Sequence, residues 1–226
     1  MRIEVASERS VILYHNETVG EKTTAQLKAI GNAVRAELGE KLLDLVPSYQ
    51  SLLVIFNPLL TTHTDVSDCL IKHIEQLPPT TPRAQSELVR LPVFYDLEVG
   101  YDLERIASHH NSSIEQVIQQ HCMNIYQVYA IGFAPGFAYL GEVPEQIAMP
   151  RLESPRPKVE KGSVGIADRQ TAIYPATSPG GWNIIGRCPS ELFNPEKDPV
   201  MPFKVGDSVQ FLPITKEEFL TLGGTL

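Results

Sequence analysis

The spacing of apolar residues predicts two amphipathic helices in the first third of the chain. At residues 23–38, apolar side chains recur every three or four positions, and Gly39 follows as a helix-ending residue. A second helix starts at Thr64, a suitable N-cap, and stops before Pro78 and Pro79. The apolar faces of the two helices consist of Leu27, Ile30, Val34 and Leu38 and of Val66, Leu70, Ile74 and Leu77.

Short β-prone runs alternate with these helices. Residues 10–14 precede the first helix, residues 42–46 and 52–57 lie between the helices, and residues 87–94 follow the second. This order, β-α-β-β-α-β, predicts a ferredoxin-like α+β domain with two helices on one face of a four-stranded antiparallel sheet.

The later part of the chain has a different composition, with short β-prone runs separated by Gly and Pro. Because Gly permits positive φ and Pro fixes φ, this pattern favours a closed or sandwich-like β domain. A proline-containing hinge is predicted at residues 78–86. We therefore expect an N-terminal domain at residues 1–85 and a β domain at residues 86–226.

Composition and charge narrow the classes of function. The 226 residues carry a net charge of −8 and no run of Lys and Arg, which disfavours nucleic acid and membrane surfaces as partners. There is no apolar signal core at the N-terminus, and the apolar run at residues 52–56 is too short to span a bilayer, so we expect a cytoplasmic protein. Cys69, Cys122 and Cys188 lie far apart, which argues against disulfides or a CxxC metal site and favours buried or incidental thiols.

Self-sufficient catalytic motifs are absent from the sequence. It contains no GxxxxGK[ST] phosphate-binding loop, no GxGxxG, no GxSxG nucleophile motif and no HExxH metal motif. The sequence therefore predicts no cofactor and no metal ion bound by this chain.

One histidine stands out as a candidate acid or base. Two short helices are expected at residues 102–109 and 112–121, with Asp102 and Ser112 as N-caps, and His121 ends the second. A helix C-terminus favours the protonated imidazole. The alternative is a capping or core-packing histidine, and the sequence leaves both open.

Turn-forming residues are densest at residues 131–189. Between Gly132 and Gly186 fall eight of the fifteen glycines, seven of the eighteen prolines and the only tryptophan, Trp182. Loops of this kind often carry binding residues. Trp182 follows Gly180 and Gly181, whose lack of side chains permits close approach of a ligand or another chain; packing of the indole is the alternative.

Two arginines in this stretch are candidate anion ligands. Arg151 and Arg156 lie in a proline-bracketed segment, and a guanidinium held on a stiff loop can bind a carboxylate or phosphate through paired donors. The alternative is a solvated loop or a salt bridge with Glu153 or Glu160.

A strand-like segment nearby places polar side chains on one face. Strand alternation puts Gln170, Ala172 and Tyr174 on one side and Thr171 and Ile173 on the other. We therefore expect Gln170 and Tyr174 to line one pocket, with His121 as the third candidate for chemistry.

Long contiguous motifs in the second half resemble a known family. GFAPGFAYLG, PRLESPRPKVEKGSVGIADRQTAIYPATSPGGWNIIGRCP, ELFNP and VGDSVQF are similar to the bacterial 5-oxoprolinase B-subunit family, also called KipI or allophanate hydrolase subunit 1. The resemblance implies a small α+β domain followed by a cyclophilin-like β-barrel. It also implies two partners, the KipA-type C-subunit and the A-subunit of 5-oxoprolinase, in an ATP-dependent hydrolase that opens 5-oxoproline to glutamate.

The resemblance leaves three functions open. The first is a non-autonomous hydrolase subunit, in which Arg151 or Arg156 holds the substrate carboxylate, Gln170 and Tyr174 orient the ring, and the KipA-type partner completes the site. ATP would then be used by the complex and not bound by this chain. The second is an inhibitor of a sensor histidine kinase, and the third is a component of a related amide hydrolase or urea carboxylase-like system.

Overall fold

The protein consists of two compact units. A computed structural model describes residues 1–78 and 87–226, and the chain divides into Met1–Ser86 and Glu87–Leu226. The predicted hinge at residues 78–86, apart from its first residue, lies outside the described residues. Among the described residues, no helix combines the length and the apolar character needed to cross a bilayer.

The first unit is a four-stranded antiparallel sheet with two helices on one face. In chain order the elements are β1 (Arg2–Ser7), β2 (Ser10–Tyr14), α1 (Glu21–Leu38), a 3-10 turn (Gly39–Lys41), β3 (Leu42–Ser48), β4 (Ser51–Phe56) and α2 (His63–Glu75). The sheet order is β1-β2-β4-β3.

The core of this unit lies between the helices and the sheet. The two predicted apolar faces are confirmed for the most part, since Leu27, Ile30, Val34, Val66 and Leu70 are buried. They pack on inward-facing residues of β2 and β4, namely Val11, Leu13, Leu52, Val54 and Phe56.

The second helix begins earlier than the sequence indicates. Its N-cap is Thr62, not Thr64, and the Thr62 hydroxyl accepts a hydrogen bond from the Asp65 N–H at 3.2 Å. In return the Asp65 carboxylate accepts from the Thr62 N–H at 3.0 Å, which completes a capping box.

The α+β class and the number of strands are confirmed, but the predicted β-α-β-β-α-β order is wrong. The observed order is β-β-α-β-β-α, because β1 forms the edge strand of the first sheet and residues 88–94 pair in the second unit. Five of the six residues of this edge strand are exposed, and its alternation is limited to Ile3 and Val5, which was the available sequence signal. Residues 88–94 pair instead with a parallel strand in a barrel, where Leu91, Val93 and Phe94 are buried.

The second unit contains a closed barrel, as the cyclophilin-like expectation requires. The elements are β5 (Leu88–Phe94), α3 (Leu103–His109), α4 (Ile114–Met123), β6 (Tyr126–Ile131), β7 (Ala138–Gly141), a 3-10 turn (Glu145–Ile147), β8 (Arg156–Val159), β9 (Ser163–Ala167), β10 (Gln170–Ile173), β11 (Ser178–Gly180), β12 (Asn183–Arg187), β13 (Ser208–Ile214) and α5 (Lys216–Thr221). Seven strands close in the order β5-β12-β9-β10-β7-β6-β13, with β13 parallel to β5 and the other pairs antiparallel. A separate two-stranded sheet pairs β8 with β11.

Two apolar clusters use opposite faces of the same barrel strands. The larger, interior cluster includes Ile173 of β10 and Ile185 of β12, together with residues of α3 and α4. Their neighbours Ala172 and Ile184 belong to the second cluster, which we call the outer cluster. It is completed by Phe137, Val159, Ala167, Tyr174 and Trp182, and the candidate site lies beside it.

Candidate functional site

A cleft with a volume of about 100 Å³ lies at the outer cluster. Most of its walls are aromatic, one arginine reaches it, and the rest is Pro and Gly. The lining residues are Phe133, Phe137, Tyr139, Arg151, Tyr174, Pro179, Gly180, Gly181 and Trp182. An aromatic cavity with a single cation suits a small ligand that combines a flat or apolar part with a negative charge.

The aromatic walls hold one another in edge-to-face contacts. The Phe137 ring lies 5.6 Å from the Tyr174 ring and 5.7 Å from the Trp182 ring, at interplanar angles of 82° and 90°. Phe133 extends this group with its ring 5.1 Å from that of Phe137, and it stays 64% exposed on the loop between β6 and β7. Edge-to-face packing favours one arrangement of the rings, so the cleft is preformed.

Gly180 has a defined role beside Tyr174. A Cβ at Gly180 would lie 2.3 Å from the Tyr174 hydroxyl, whereas a Cβ at Gly181 would meet Pro155 at an ordinary 3.6 Å. The close approach predicted for this glycine pair is therefore made by the chain's own tyrosine. Burial raises the pKa of the Tyr174 phenol, although a backbone hydrogen bond with Trp182 and the Arg151 charge act in the opposite direction. Tyr174 is thus a neutral hydrogen-bond donor near pH 7.

We expect Gly180→Ala to disturb the cleft and destabilise the second unit by about 1–3 kcal/mol, because the new methyl group overlaps the Tyr174 hydroxyl. Urea denaturation followed by the fluorescence of Trp182 measures this loss. Gly181→Ala is the matched control, and an equal loss in both variants would contradict the assignment.

Arg151 is placed as an anion ligand would be. Its guanidinium carbon lies 5.7 Å from the centre of the Trp182 ring, within range for a cation–π contact. The expected alternative partner Glu160 binds Lys158 instead at 2.6 Å. Within the described part of the chain, Arg151 forms no ion pair and no hydrogen bond, and its exposed side chain lines the cleft, so its donors are available to a ligand.

Arg156 has a different place. It forms an ion pair with Asp102, with 2.8 Å between Nη2 and Oδ1, and it does not line the cleft. The other oxygen of Asp102 accepts from the Ile184 N–H at 2.7 Å, and Arg156 donates to the Trp182 carbonyl at 3.4 Å. Asp102 is buried, and its side chain does not cap α3 as the sequence suggested. This pair fixes the backbone on both sides of Asn183, directly after Trp182, and therefore supports the cleft wall.

His121 is a core histidine. It is fully buried, with Nδ1 2.7 Å from the Tyr95 hydroxyl and Nε2 2.9 Å from the Thr171 hydroxyl, and it stacks on Phe211. Burial lowers its pKa to about 3, so the imidazole is neutral near pH 7. Of the two interpretations that the sequence left open, the structure favours the core-packing histidine, since desolvation outweighs the favourable helix dipole. His121 does not line the cleft.

The alternation expected around Tyr174 is confirmed. Ala172 and Tyr174 join the outer cluster, while Ile173 joins the interior cluster and Thr171 contacts His121. Gln170 is half-buried on β10 and does not line the cleft.

Three aromatic cleft residues were not predicted from the sequence. Phe133, Phe137 and Tyr139 all belong to the GFAPGFAYLG stretch, from which only the turn-forming residues were considered. For Phe137 and Tyr139 the available signal was their spacing, because residues two apart on an extended segment face the same way. Phe133 lies across a turn from them, so only the tertiary structure places it at the cleft.

Comparisons with known proteins agree with this architecture. The family model described as "Carboxyltransferase domain, subdomain C and D" matches residues 1–203. The chain is 35% identical over 218 residues to the 5-oxoprolinase B-subunit of Bacillus subtilis (strain 168), covering 88% of this chain and 89% of that protein. The chain belongs to the 5-oxoprolinase B-subunit family.

Solved structures show the same fold within longer chains. The crystal structure of TTHA0988 matches 92% of this chain with a TM-score of 0.80 and 33% identity, and the matched part is 40% of that longer chain. The urea carboxylase of Kluyveromyces lactis matches 97% of this chain with a TM-score of 0.77, over 22% of its own length. At 16% identity, the second match shows a shared fold alone. The family's fold thus occurs as part of larger chains.

Proposed function

We propose that this chain is the non-autonomous B-subunit of an ATP-dependent 5-oxoprolinase, and that its cleft binds 5-oxoproline. The observation that carries the proposal is the Arg151 guanidinium, which lies over Trp182 in the lining of an aromatic cleft and has no ion-pair partner among the described residues. The relatives named as 5-oxoprolinase B-subunits support the same assignment.

The chemistry of 5-oxoproline suits the residues of the cleft. The substrate joins a carboxylate to a small five-membered lactam ring, and a guanidinium binds a carboxylate through paired donors. A five-membered ring is small enough for a cleft of about 100 Å³, whose walls include Phe137, Tyr174 and Trp182. The neutral Tyr174 phenol can donate a hydrogen bond to the lactam oxygen, where negative charge develops during attack.

The rest of the reaction requires partners. Opening an unactivated lactam needs an electrophilic carbonyl, a nucleophile and a proton for the leaving nitrogen. The cleft provides a charge anchor and a hydrogen-bond donor, and it is not lined by His, Cys, Asp, Glu or Lys. In this proposal the KipA-type C-subunit then completes the site, and the A-subunit performs the ATP chemistry.

The test is ATP-dependent glutamate release by the chain reconstituted with both partners. For Arg151→Ala we expect kcat/KM to fall about 10- to 100-fold, mainly through KM, because a charge-assisted contact to the substrate is lost. Arg151→Lys should recover part of the loss. Arg169→Ala is the matched control, since Arg169 pairs with Glu142 and Glu145 and does not line the cleft.

Two outcomes would contradict the proposal. If Arg151→Ala and Arg169→Ala both keep the wild-type kcat/KM for glutamate release, the cleft is not the substrate site. If the complex assembles but hydrolyses no 5-oxoproline, while the chain blocks autophosphorylation of a sensor histidine kinase, the hydrolase assignment itself fails.

A further inference from the structure

We propose that the first unit holds a second, separate site, which binds a zinc-like divalent metal ion through Cys69, His73 and Glu37. One ligand atom from each side chain, a sulfur, an imidazole nitrogen and a carboxylate oxygen, lies within 4.8 Å of the other two. Thiolate, imidazole and carboxylate are the ligand types that zinc prefers.

The fold of the first unit brings these residues together. Cys69 and His73 are four residues apart on α2 and therefore project from the same face of that helix. Glu37 lies in the last turn of α1, which packs beside α2 on the same face of the sheet. The three ligands thus combine a Cys-x3-His spacing on one helix with a carboxylate from the neighbouring helix. The sequence alone does not show that Glu37 lies beside Cys69 and His73.

The contacts at this cluster converge on one carboxylate. Oε2 of Glu37 lies 2.9 Å from Nε2 of His73 and 2.8 Å from the Lys72 ammonium. A divalent ion at the centre would displace the Cys69 thiol proton to solvent and bind the unprotonated ring nitrogen of a neutral His73, with the Glu37 carboxylate as the third ligand. Three protein ligands leave the fourth tetrahedral position to water.

Burial and access also fit a bound ion. Cys69 is 5% exposed and forms the floor of the cluster, while the side chains of His73 and Glu37 are 15% and 37% exposed. An ion can therefore enter from solvent and reach a sulfur that is otherwise protected. Lys72 is the opposing element, because its ammonium binds the carboxylate that the ion needs and repels a cation.

The Lys72–Glu37 ion pair provides a way to distinguish a metal site from a cluster held together only by hydrogen bonds. Removing Lys72 weakens a cluster held together by hydrogen bonds, but it strengthens a metal site because it frees Glu37. Lys72 is exposed, so its replacement leaves the helix intact.

The experiment titrates metal-free full-length chain with Zn²⁺ in competition with a chromophoric chelator, and with Co²⁺ as a spectroscopic probe. We expect one ion per chain and a thiolate-to-cobalt charge-transfer band. Cys69→Ser should abolish the band and weaken Zn²⁺ binding at least about 10-fold, and His73→Gln should weaken it to a similar extent. Lys72→Met should tighten binding several-fold.

Cys122→Ser is the matched control, because Cys122 is a free cysteine in the second unit. It should leave stoichiometry, affinity and the cobalt band unchanged. Each variant is first checked for wild-type circular dichroism, and Cys69→Ala replaces Cys69→Ser if the latter is unfolded. Absence of a cobalt–thiolate band in the wild type, its persistence without Cys69, or weaker binding in Lys72→Met would overturn the proposal.

Discussion

Replacing Asp102 with alanine is expected to lower the free energy of unfolding by about 3 kcal/mol, the largest effect we expect from any single substitution near the cleft. The substitution leaves the Arg156 guanidinium without its carboxylate and the Ile184 N–H without its acceptor. Arg156 keeps a side-chain exposure of 27%, which allows water to offset part of the cost and sets the value at the low end of the range for buried pairs.

The measurement is urea denaturation followed by the intrinsic fluorescence of Trp182, the only tryptophan, whose backbone this pair supports. Asp102→Asn keeps an acceptor for Ile184 and should cost less than half as much. Glu142→Ala breaks an exposed ion pair with Arg169 and should cost less than about 0.5 kcal/mol. A small loss in Asp102→Ala, similar to that in Glu142→Ala, would show that the Arg156 pair does not stabilise the cleft.

Acidification is expected to destabilise the second unit through His121. Its pKa is about 3 in the folded state against 6.5 as a free side chain, because burial disfavours the charged imidazole. As the pH falls below 6.5, His121 becomes protonated in the unfolded chain but stays neutral in the folded chain. The free energy of unfolding therefore declines until the pH approaches 3. Between pH 7 and pH 5 this residue alone should remove about 2 kcal/mol.

The check compares wild-type protein with His121→Gln, in which a side-chain amide can still bond to the Tyr95 and Thr171 hydroxyls but does not titrate. The variant should be less stable at pH 7 and show a shallower loss between pH 7 and pH 5. Since the other histidines are common to both proteins, the difference in slope isolates His121. Equal slopes would mean that the imidazole is protonated in the folded state.

Much of the fold could be predicted because it depends on local patterns. The apolar periodicity of α1 and α2 and the β-prone runs of the barrel each lie within a short segment. The failure at residues 88–94 has a clear cause. A β-prone run indicates that a strand forms, but it does not indicate which strand pairs with it. Here the partner is β13 in the barrel, far away in sequence.

The candidate site was predicted in part. Arg151, Tyr174 and Trp182 meet in one cleft, as expected for binding residues of one stretch. Arginine is a common anion ligand and histidine a common acid or base, so Arg156 and His121 were reasonable candidates. Their roles in this protein depend on the side chains that contact them in space. Asp102 lies 54 residues from Arg156, and Thr171 lies 50 residues from His121.

The sequence by itself determined that this protein has a helix-covered sheet and a β domain, that its motifs are those of the 5-oxoprolinase B-subunit family, and that Arg151 and Trp182 belong to one turn-rich stretch. Only the tertiary structure decided which polar groups are paired. In the structure Arg156 pairs with the Asp102 carboxylate, and His121 hydrogen-bonds with two hydroxyl groups. Arg151 has no ion-pair partner among the described residues, and Glu37 lies next to Cys69 and His73. The reason is physical: a side chain's charge and availability depend on burial and on partners distant in sequence, and neither is encoded in local spacing.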